Sequence, residues 1–396
     1  MNWTEVLMLM TVIRLGQPDR RFDHYLLGTS MVWPERYEPR SVIHSRFQMS
    51  RGGRVMLSSP RFRPGVPFTL GMFEATAACR TNVEPDVRPF PPQQCAHRTR
   101  DTNTDPQPLV NVVDVFLDKH EILWALDVGT INTMTQPERV APPKIVRVEI
   151  DDDVDTYKAY EIDIDAEQED SDVEMCLQFI VAHQSPKNTF VFITDAGRNS
   201  LIMFDMYKEM QSTIVFPEKT AYADRDIMFM TLLHKTMQGT RRPGLYVTYL
   251  SGCHMYVVQL DNIDQCSAVV ARPVIMDLGR KPYRITVLGS DGGSRMFFRR
   301  PAENEIWSWD VNAHFHPSMF ELVTKGQDCR APVQITAGYD HFLFVLKNNF
   351  GDYVRNTTGS LGAYTIIQPV SRLPKSRGNS TTTKGTDDNA RCDCHG

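Results

Sequence analysis

The stretch NTFVFITDAGRNSLIMFD, residues 188–205, decides the fold of this chain. Two apolar runs, each the length of one strand and rich in Val, Phe, Ile and Leu, flank the tripeptide Asp195-Ala-Gly. Asp and Gly favour tight turns, because Asp bonds to nearby backbone and Gly tolerates positive φ. HEILWALDVGTINTM (120–134) and YRITVLGSDGGSRMFFRR (283–300) repeat the theme. These patterns predict an all-β protein built from repeated strand–turn–strand units.

The spacing of this unit predicts the architecture. The unit recurs near residues 55, 122, 191, 246, 286 and 342, a mean spacing close to 57 residues, somewhat above the ~40–50 of a four-stranded propeller blade. A four-stranded sheet cannot bury both faces alone, whereas radial stacking of six sheets covers every face. We therefore predict a six-bladed β-propeller over residues 28–370. A pair of β-sandwiches with coincidental Asp-Gly turns is the alternative.

The two ends of the chain differ from this body. Residues 1–27 contain a short apolar run, Val6 to Ile13, preceded by Glu5 where basic residues belong in a signal peptide. We interpret this segment as a leader or signal-like sequence. Residues 371–396 are polar and cannot form a core, so we predict a disordered tail. Its terminal Cys392-x-Cys394-His395 is compatible with metal, a cross-link or a free thiol.

Composition excludes several classes of protein. The 396 residues are 41% hydrophobic and 23% charged, which is ordinary for a globular chain. A net charge of −5 argues against nucleic acid as a partner. No run reaches the ~18 apolar residues of a membrane span. Residues 149–174 carry −12, from 13 acidic residues and one Lys, and we interpret them as a solvated loop because they lack EF-hand spacing.

Matched segments then point to a family. They begin with PRFRPGVPFTLG (60–71), LWALDVGTINTMTQPERVAPPKIV (123–146) and FVFITDAGRNSLIMFD (190–205), and continue through DLGRKPYRITVLGSDGGSRMFFRRPAENEIWSWD (277–310) and LKNNFGDYVRNTTGSLGAYTI (346–366). In order and spacing they resemble the insect yellow and major royal jelly protein family, above all its eggshell-associated yellow-g branch. The resemblance implies a secreted, extracellular six-bladed propeller.

In a secreted protein, the eight cysteines could form disulfides and the Asn-x-Ser/Thr triplets could be glycosylated. The wider family has Asp-Lys-Cys-Gly where this chain has Asp118-Lys119-His120-Glu121, so one familial disulfide is expected to be absent unless Cys95 finds another partner. The candidate disulfide cysteines are Cys79, Cys95, Cys253 and Cys266, for which Cys79–Cys95 and Cys253–Cys266 are possible pairs among several. The candidate glycosylation sites are Asn356 and Asn379.

Two carboxylates are the candidate ligand-binding residues. Asp127 and Asp195 occupy the same repeat position, and in a propeller they could face the channel mouth and hold a cationic amine or a metal. The alternative is that they cap tight turns through hydrogen bonds to backbone. The resemblance favours a pocket, because some family members bind biogenic amines in the channel. His314 and His316 share a face, but no third ligand is evident, so we predict no metal site and no cofactor.

Catalytic signatures are missing from the sequence: it has no GxSxG, P-loop, HExxH or Rossmann fingerprint. Together with this absence, the resemblance to the yellow-g branch implies the leading prediction: a secreted, non-enzymatic protein that contributes to eggshell formation, hardening or desiccation resistance, with other eggshell proteins as partners. The resemblance implies two alternatives. One is a dopachrome-converting isomerase of the melanin pathway, with Asp127 or Asp195 as the base, and the other is a protein that binds small biogenic amines.

Overall fold

The computed structural model describes the chain over 25–27, 31–33, 37–75, 85–92, 94–97, 108–150, 157–162, 179–216, 226–261, 263, 273–300, 304–326, 330–360 and 362–373. Strands dominate these residues. Within them we find one α-helix, α1 (Phe350–Arg355), and 3-10 helices at Pro39–Ser41, Gln94–His97, Pro317–Met319 and Tyr339–His341. The prediction of an all-β protein is confirmed.

Four antiparallel sheets contain four strands each. The first is formed by β2 (Arg46–Met49), β3 (Arg54–Ser58), β4 (Leu70–Glu74) and β5 (Arg88–Pro89). The second contains β6 (Val112–Leu117), β7 (Ile122–Asp127), β10 (Lys144–Glu149) and β11 (Lys158–Glu161), with the short ribbon β8 (Thr130–Ile131) and β9 (Glu138–Arg139) between β7 and β10. The third is formed by β12 (Ile180–Gln184), β13 (Thr189–Asp195), β14 (Ser200–Asp205) and β15 (Met210–Val215). The fourth is formed by β16 (Met228–Met237), β17 (Thr240–Tyr249), β18 (His254–Gln259) and β19 (Ile275–Arg280).

An eight-stranded sheet comprises two further groups of four. One group is β20 (Thr286–Ser290), β21 (Arg295–Arg299), β22 (Glu305–Asp310) and β23 (Phe320–Lys325); the other is β24 (Ala331–Ala337), β25 (Phe342–Asn348), β26 (Thr365–Arg372) and β1 (Tyr25–Leu27). A single parallel pairing, Gly289 with Ile335, joins them. Gly289 has φ of +134°, and a Cβ there would lie 2.2 Å from the Ile335 carbonyl oxygen, so the close approach requires glycine.

The six groups are arranged around an axis. Their first strands contact one another in the cyclic order β2, β6, β12, β16, β20 and β24, and β24 contacts β2 again. Apolar clusters fill the spaces between neighbouring groups; one joins Phe192 of β13 to Tyr246 of β17 and Phe298 of β21. This closed arrangement is a β-propeller, and it confirms the predicted fold against the sandwich alternative.

Burial explains the sequence pattern of the deciding stretch. The strands β13 and β14 form the predicted hairpin, with Asp195 opposite Ser200. Every residue of β14 is buried, as are all but the first of β13. A sheet covered on both faces needs apolar side chains on both, which produces continuous runs rather than strict alternation.

Two predictions differ from the structure. Residues 120–134 do not form a hairpin, because β7 pairs with β10 after the β8–β9 excursion. The propeller also extends beyond the predicted bounds of 28–370: Tyr25–Leu27 pairs with β26, and β26 continues to Arg372. A three-residue segment is too short to show an apolar pattern in the sequence. Its backbone pairing with β26 is what places it in the sheet.

Candidate functional site in the central cavity

A cavity of about 690 Å³ lies where the first strands of the six groups meet. Its apolar wall includes Phe116 of β6, Phe229 of β16 and Phe179, which precedes β12. Polar side chains are spaced among these rings. The polar and charged lining residues are Arg46, Gln48, Arg51, Asp114, Asp118, Lys119, Glu121, Thr231, His234, Ser290, Gln334, Thr336 and His341. A small aromatic molecule would find both stacking surfaces and hydrogen-bonding groups here.

An ion pair between Arg46 and Asp114 is the main charged feature of the wall. The Arg46 Nε atom lies 3.5 Å from Asp114 Oδ1, and both side chains are over 90% buried. Asp114 Oδ2 accepts a hydrogen bond of 2.9 Å from the Ile180 amide. The Arg46 guanidinium stacks over Phe179 at 4.6 Å and donates to the Val333 carbonyl. The pair therefore presents opposite charges side by side, fixed from four of the six groups.

Burial sets the protonation of this pair. It raises the pKa of Asp114 to about 6, against the opposing effects of the Arg46 charge and of the Ile180 and Val115 amides. Burial lowers the pKa of Arg46, which the Asp114 charge opposes. Asp114 is therefore mostly ionised at pH 7 and gains a proton in mildly acidic solution. A carboxylate with such a pKa can exchange protons near neutral pH.

Neighbouring side chains hold the wall in place. Gln48 donates to the Val115 carbonyl at 3.1 Å and accepts from the Thr336 hydroxyl at 3.2 Å. Farther along the strands, the Asp118 carboxylate accepts from Trp124 Nε1 at 3.0 Å and from Gln184 Nε2 at 2.6 Å. Three of these four bonds join different groups, and the Trp124–Asp118 bond lies within one group; together they fix the positions of the cavity-lining side chains.

Asp127 lies elsewhere. It is fully buried at the end of β7, where its carboxylate accepts from the Val110, Asn111 and Gly129 amides at 2.7, 2.8 and 3.0 Å. The Lys144 ammonium lies 3.2 Å from Oδ2. Asp127 does not line the central cavity, so the expectation that it faces the channel is corrected. Its hydrogen bonds are those of the turn-capping alternative.

Asp195 occupies the equivalent position, as predicted, at the end of the second strand of its group. It too is fully buried, with Arg198 Nε 3.8 Å from its carboxylate, and it is absent from the cavity lining. The physical reason is the same for both residues. The second strand of a group lies behind the first, so its end residue points into the packed sheet rather than toward the axis.

The remaining predicted residues are scattered. Cys253 carries a free, half-buried thiol, so no Cys253–Cys266 bridge is formed in the structure. Cys95 lies in a 3-10 helix. The other predicted residues, Cys79, Cys266 and Asn379, lie outside the described residues. Asn356 is exposed after α1, and its side-chain oxygen accepts from Arg63. The rings of His314 and His316 are 5.6 Å apart, but no cluster of three metal-ligating side chains exists among the described residues.

The cavity pair was not found from sequence, although one signal was present. Asp114 interrupts the apolar run NVVDVFL (111–117). A charged residue inside a buried strand is rare unless it is paired, so it marks a candidate site. Nothing comparable identifies Arg46 as its partner.

These features define a β-propeller with a charged and aromatic central cavity. The family model described as "Major royal jelly protein" matches residues 110–361, well over half of the chain. The chain belongs to the major royal jelly protein family. Across the described part of the chain, no helix is both long and apolar enough to cross a bilayer.

Individual relatives are distant. A Dopaminechrome tautomerase from Drosophila melanogaster is 28% identical over 100 residues, which are 25% of this chain and 20% of that protein. Among solved structures, an α-L-arabinofuranosidase from Fusarium graminearum has a TM-score of 0.49 at 10% identity over 88% of this chain and 98% of its own. The Cps50 (Swd1) β-propeller domain from Myceliophteria thermophila gives 0.41 at 11% identity, over 87% and 99%.

Proposed function

We propose that the central cavity binds a small aromatic compound that carries an ammonium or N–H group together with ring oxygens, such as a catecholamine or its cyclised quinone. The Arg46–Asp114 pair carries this proposal. Its guanidinium suits carbonyl or phenol oxygens, and its carboxylate suits an ammonium or N–H donor. Phe179, Phe116 and Phe229 provide surfaces for an aromatic ring. A cavity of about 690 Å³ has room for such a molecule.

Calorimetric titration with dopaminechrome and with dopamine tests this proposal. We expect both compounds to bind, and we expect Asp114→Asn to weaken both by about 10- to 100-fold, the effect of losing one charge-assisted hydrogen bond. Arg46→Lys should weaken dopaminechrome more than dopamine, because only the quinone offers two carbonyl oxygens to the guanidinium.

Asp352→Asn provides the matched control, since Asp352 pairs with Arg355 on α1 and is absent from the cavity lining. Thermal unfolding of each variant verifies that it is folded. Wild-type protein that gives no heat with either compound, or Asp114→Asn that binds as tightly as the control, would contradict the proposal.

Tautomerisation is a second candidate function, and the raised pKa of Asp114 favours it. This reaction moves two protons of an aminochrome, one from each of its two saturated ring carbons, to the two quinone oxygens. Asp114 would remove the first of these protons as the electrons move toward the quinone, and protonation of one quinone oxygen would give a quinone methide. Transfer of the second ring proton to the other oxygen then gives a dihydroxyindole of the same composition. Arg46 would stabilise the negative charge that develops on the oxygen that is protonated first. The name of the Drosophila relative describes this class of reaction.

The loss of dopaminechrome colour measures this activity. We expect the rate to rise with pH through about 6 and then level off, because the ionised carboxylate is the base. Asp114→Asn should lower the rate about 100-fold or more, the usual contribution of general base catalysis. A rate that is unchanged in this variant, or is equal to that of buffer for the wild type, would exclude the tautomerase and leave binding as the function.

The biological setting remains a prediction from the sequence. We take each of the six strand groups as one blade, and we place the protein in the yellow-g branch, as a secreted eggshell component acting with other shell proteins. Immunolocalisation in egg chambers tests this placement; signal retained within cells and missing from the shell would contradict it.

A further inference from the structure

A second cavity, of about 580 Å³, lies apart from the central one. The turn between β17 and β18 and the connection from β19 to β20 form its walls, next to Pro317. Its lining residues are Ser251, Gly252, Cys253, Arg280, Lys281, Pro282, Tyr283, Arg284 and Pro317. Among the described residues that line it, three are cations and none is acidic, although the chain as a whole carries a net negative charge.

The cations of this cavity are poorly compensated. Within the described part of the chain, neither Arg280 nor Arg284 makes a side-chain hydrogen bond or an ion pair. Elsewhere in the same region, Arg242 pairs with Asp261 at 3.3 Å and Arg295 with Glu321 at 3.4 Å. Exposed Arg40, Arg88 and Arg241 are also without a side-chain partner among the described residues, so Arg280 and Arg284 are distinguished by their place in one cavity beside the buried Lys281.

Lys281 shows that the cavity is built rather than merely exposed. The residue is only 7% exposed, and its ammonium donates to the Tyr249 carbonyl. Burial lowers the pKa of Lys281 to about 8, and the Arg284 charge acts in the same direction, against Asp226 and Cys253. The Asp226 carboxylate already accepts from the Ser251 amide at 3.1 Å, and from its hydroxyl.

We propose that this cavity is a binding site for a sulfate or phosphate group, carried by a free anion or by a small sugar ester. A dianion would neutralise the repulsion between Lys281 and Arg284 and would accept hydrogen bonds from these two side chains and from Arg280. The Tyr283 ring provides a flat wall for a sugar ring attached to the anion. The site is independent of the central cavity and of the function proposed for it.

Calorimetric titrations at constant ionic strength test the proposal, with chloride as the balancing anion because salt screens exposed charges. The ligands are inorganic sulfate, inorganic phosphate, N-acetylglucosamine 6-sulfate and uncharged N-acetylglucosamine. We expect saturable binding of the three anions and none of the uncharged sugar. Tighter binding of the sulfated sugar than of inorganic sulfate would identify a sugar ester as the ligand, and equal binding would identify the free anion.

Paired variants locate the site. Arg280→Gln combined with Arg284→Gln should raise the dissociation constants at least tenfold, and both side chains are exposed, so the fold should be retained. Arg241→Gln removes a charge from another exposed position of the same sheet and should leave binding unchanged.

Bound anion should also slow the alkylation of Cys253 by iodoacetamide, measured by peptide mass spectrometry. Absence of saturable binding, or equal loss in both sets of variants, would overturn the proposal.

Discussion

Asp127→Asn is expected to lower the free energy of unfolding by about 3–5 kcal/mol, the usual cost of breaking a buried ion pair by removing one partner. The substitution leaves the fully buried ammonium of Lys144 without its counter-charge. It also places an amide donor where the Asp127 carboxylate accepts from Val110 and Asn111. Unfolding in urea, followed by circular dichroism, measures the change.

A control variant and a double variant test whether the buried ion pair causes this loss of stability. Asp352→Asn removes a half-exposed carboxylate paired with Arg355 and should cost less than about 1 kcal/mol. Asp127→Asn combined with Lys144→Met also removes the buried ammonium while the oxygen of the introduced amide still accepts from the backbone, so this double variant should be more stable than Asp127→Asn alone. An Asp127→Asn protein as stable as the Asp352→Asn control would show that the buried pair contributes nothing. Loss of ligand binding in Asp127→Asn would, by the same reasoning, reflect loss of folding.

Acid is expected to destabilise the protein through two buried histidines. Burial lowers the pKa of His44 to about 4, and burial together with the Arg61 charge lowers the pKa of His97 to about 4, against the hydrogen bond to Pro91. Unfolded histidine titrates near 6.5, so between pH 6.5 and 4 the unfolded state binds more protons and stability falls as pH falls. At about 1.4 kcal/mol per pKa unit, each histidine accounts for about 3 kcal/mol.

Asp114 acts in the opposite direction. Its pKa is raised to about 6 in the folded state, so between pH 6 and 4 the folded state binds the extra proton and gains about 3 kcal/mol as pH falls. The net loss between pH 6.5 and 4 should therefore be about 3 kcal/mol. Urea unfolding at several pH values tests this, with His97→Gln expected to flatten the curve and exposed His316→Gln as the matched control. Stability that rises toward pH 4 in the wild type would refute the assignment.

The strands were predictable because local chemistry decides them. Residues 188–205 form the expected hairpin, which the two apolar runs around Asp195-Ala-Gly indicate from local sequence alone. Residues 120–134 do not, because an Asp-x-Gly turn fixes a bend but not the partner of the following strand. Whether β7 pairs with residue 131 or with residue 145 depends on the long-range packing of β10.

The candidate site was predictable only in part. Asp127 and Asp195 were correctly matched as equivalent positions, yet their distance from the axis depends on which strand of a group they end. The Arg46–Asp114 pair arises from the contact of two first strands in neighbouring groups. No local pattern around either residue specifies that contact, which appears only when the ring is closed.

The pairing of β1 with β26 has a consequence for biogenesis. The last group of strands joins Tyr25–Leu27 to Thr365–Arg372, so it cannot be completed on the ribosome before Arg372 has emerged. Earlier groups can form as they are synthesised, but the open ring keeps one apolar sheet face uncovered during that time. A nascent chain of this protein is therefore expected to expose apolar surface until its last group of strands has formed.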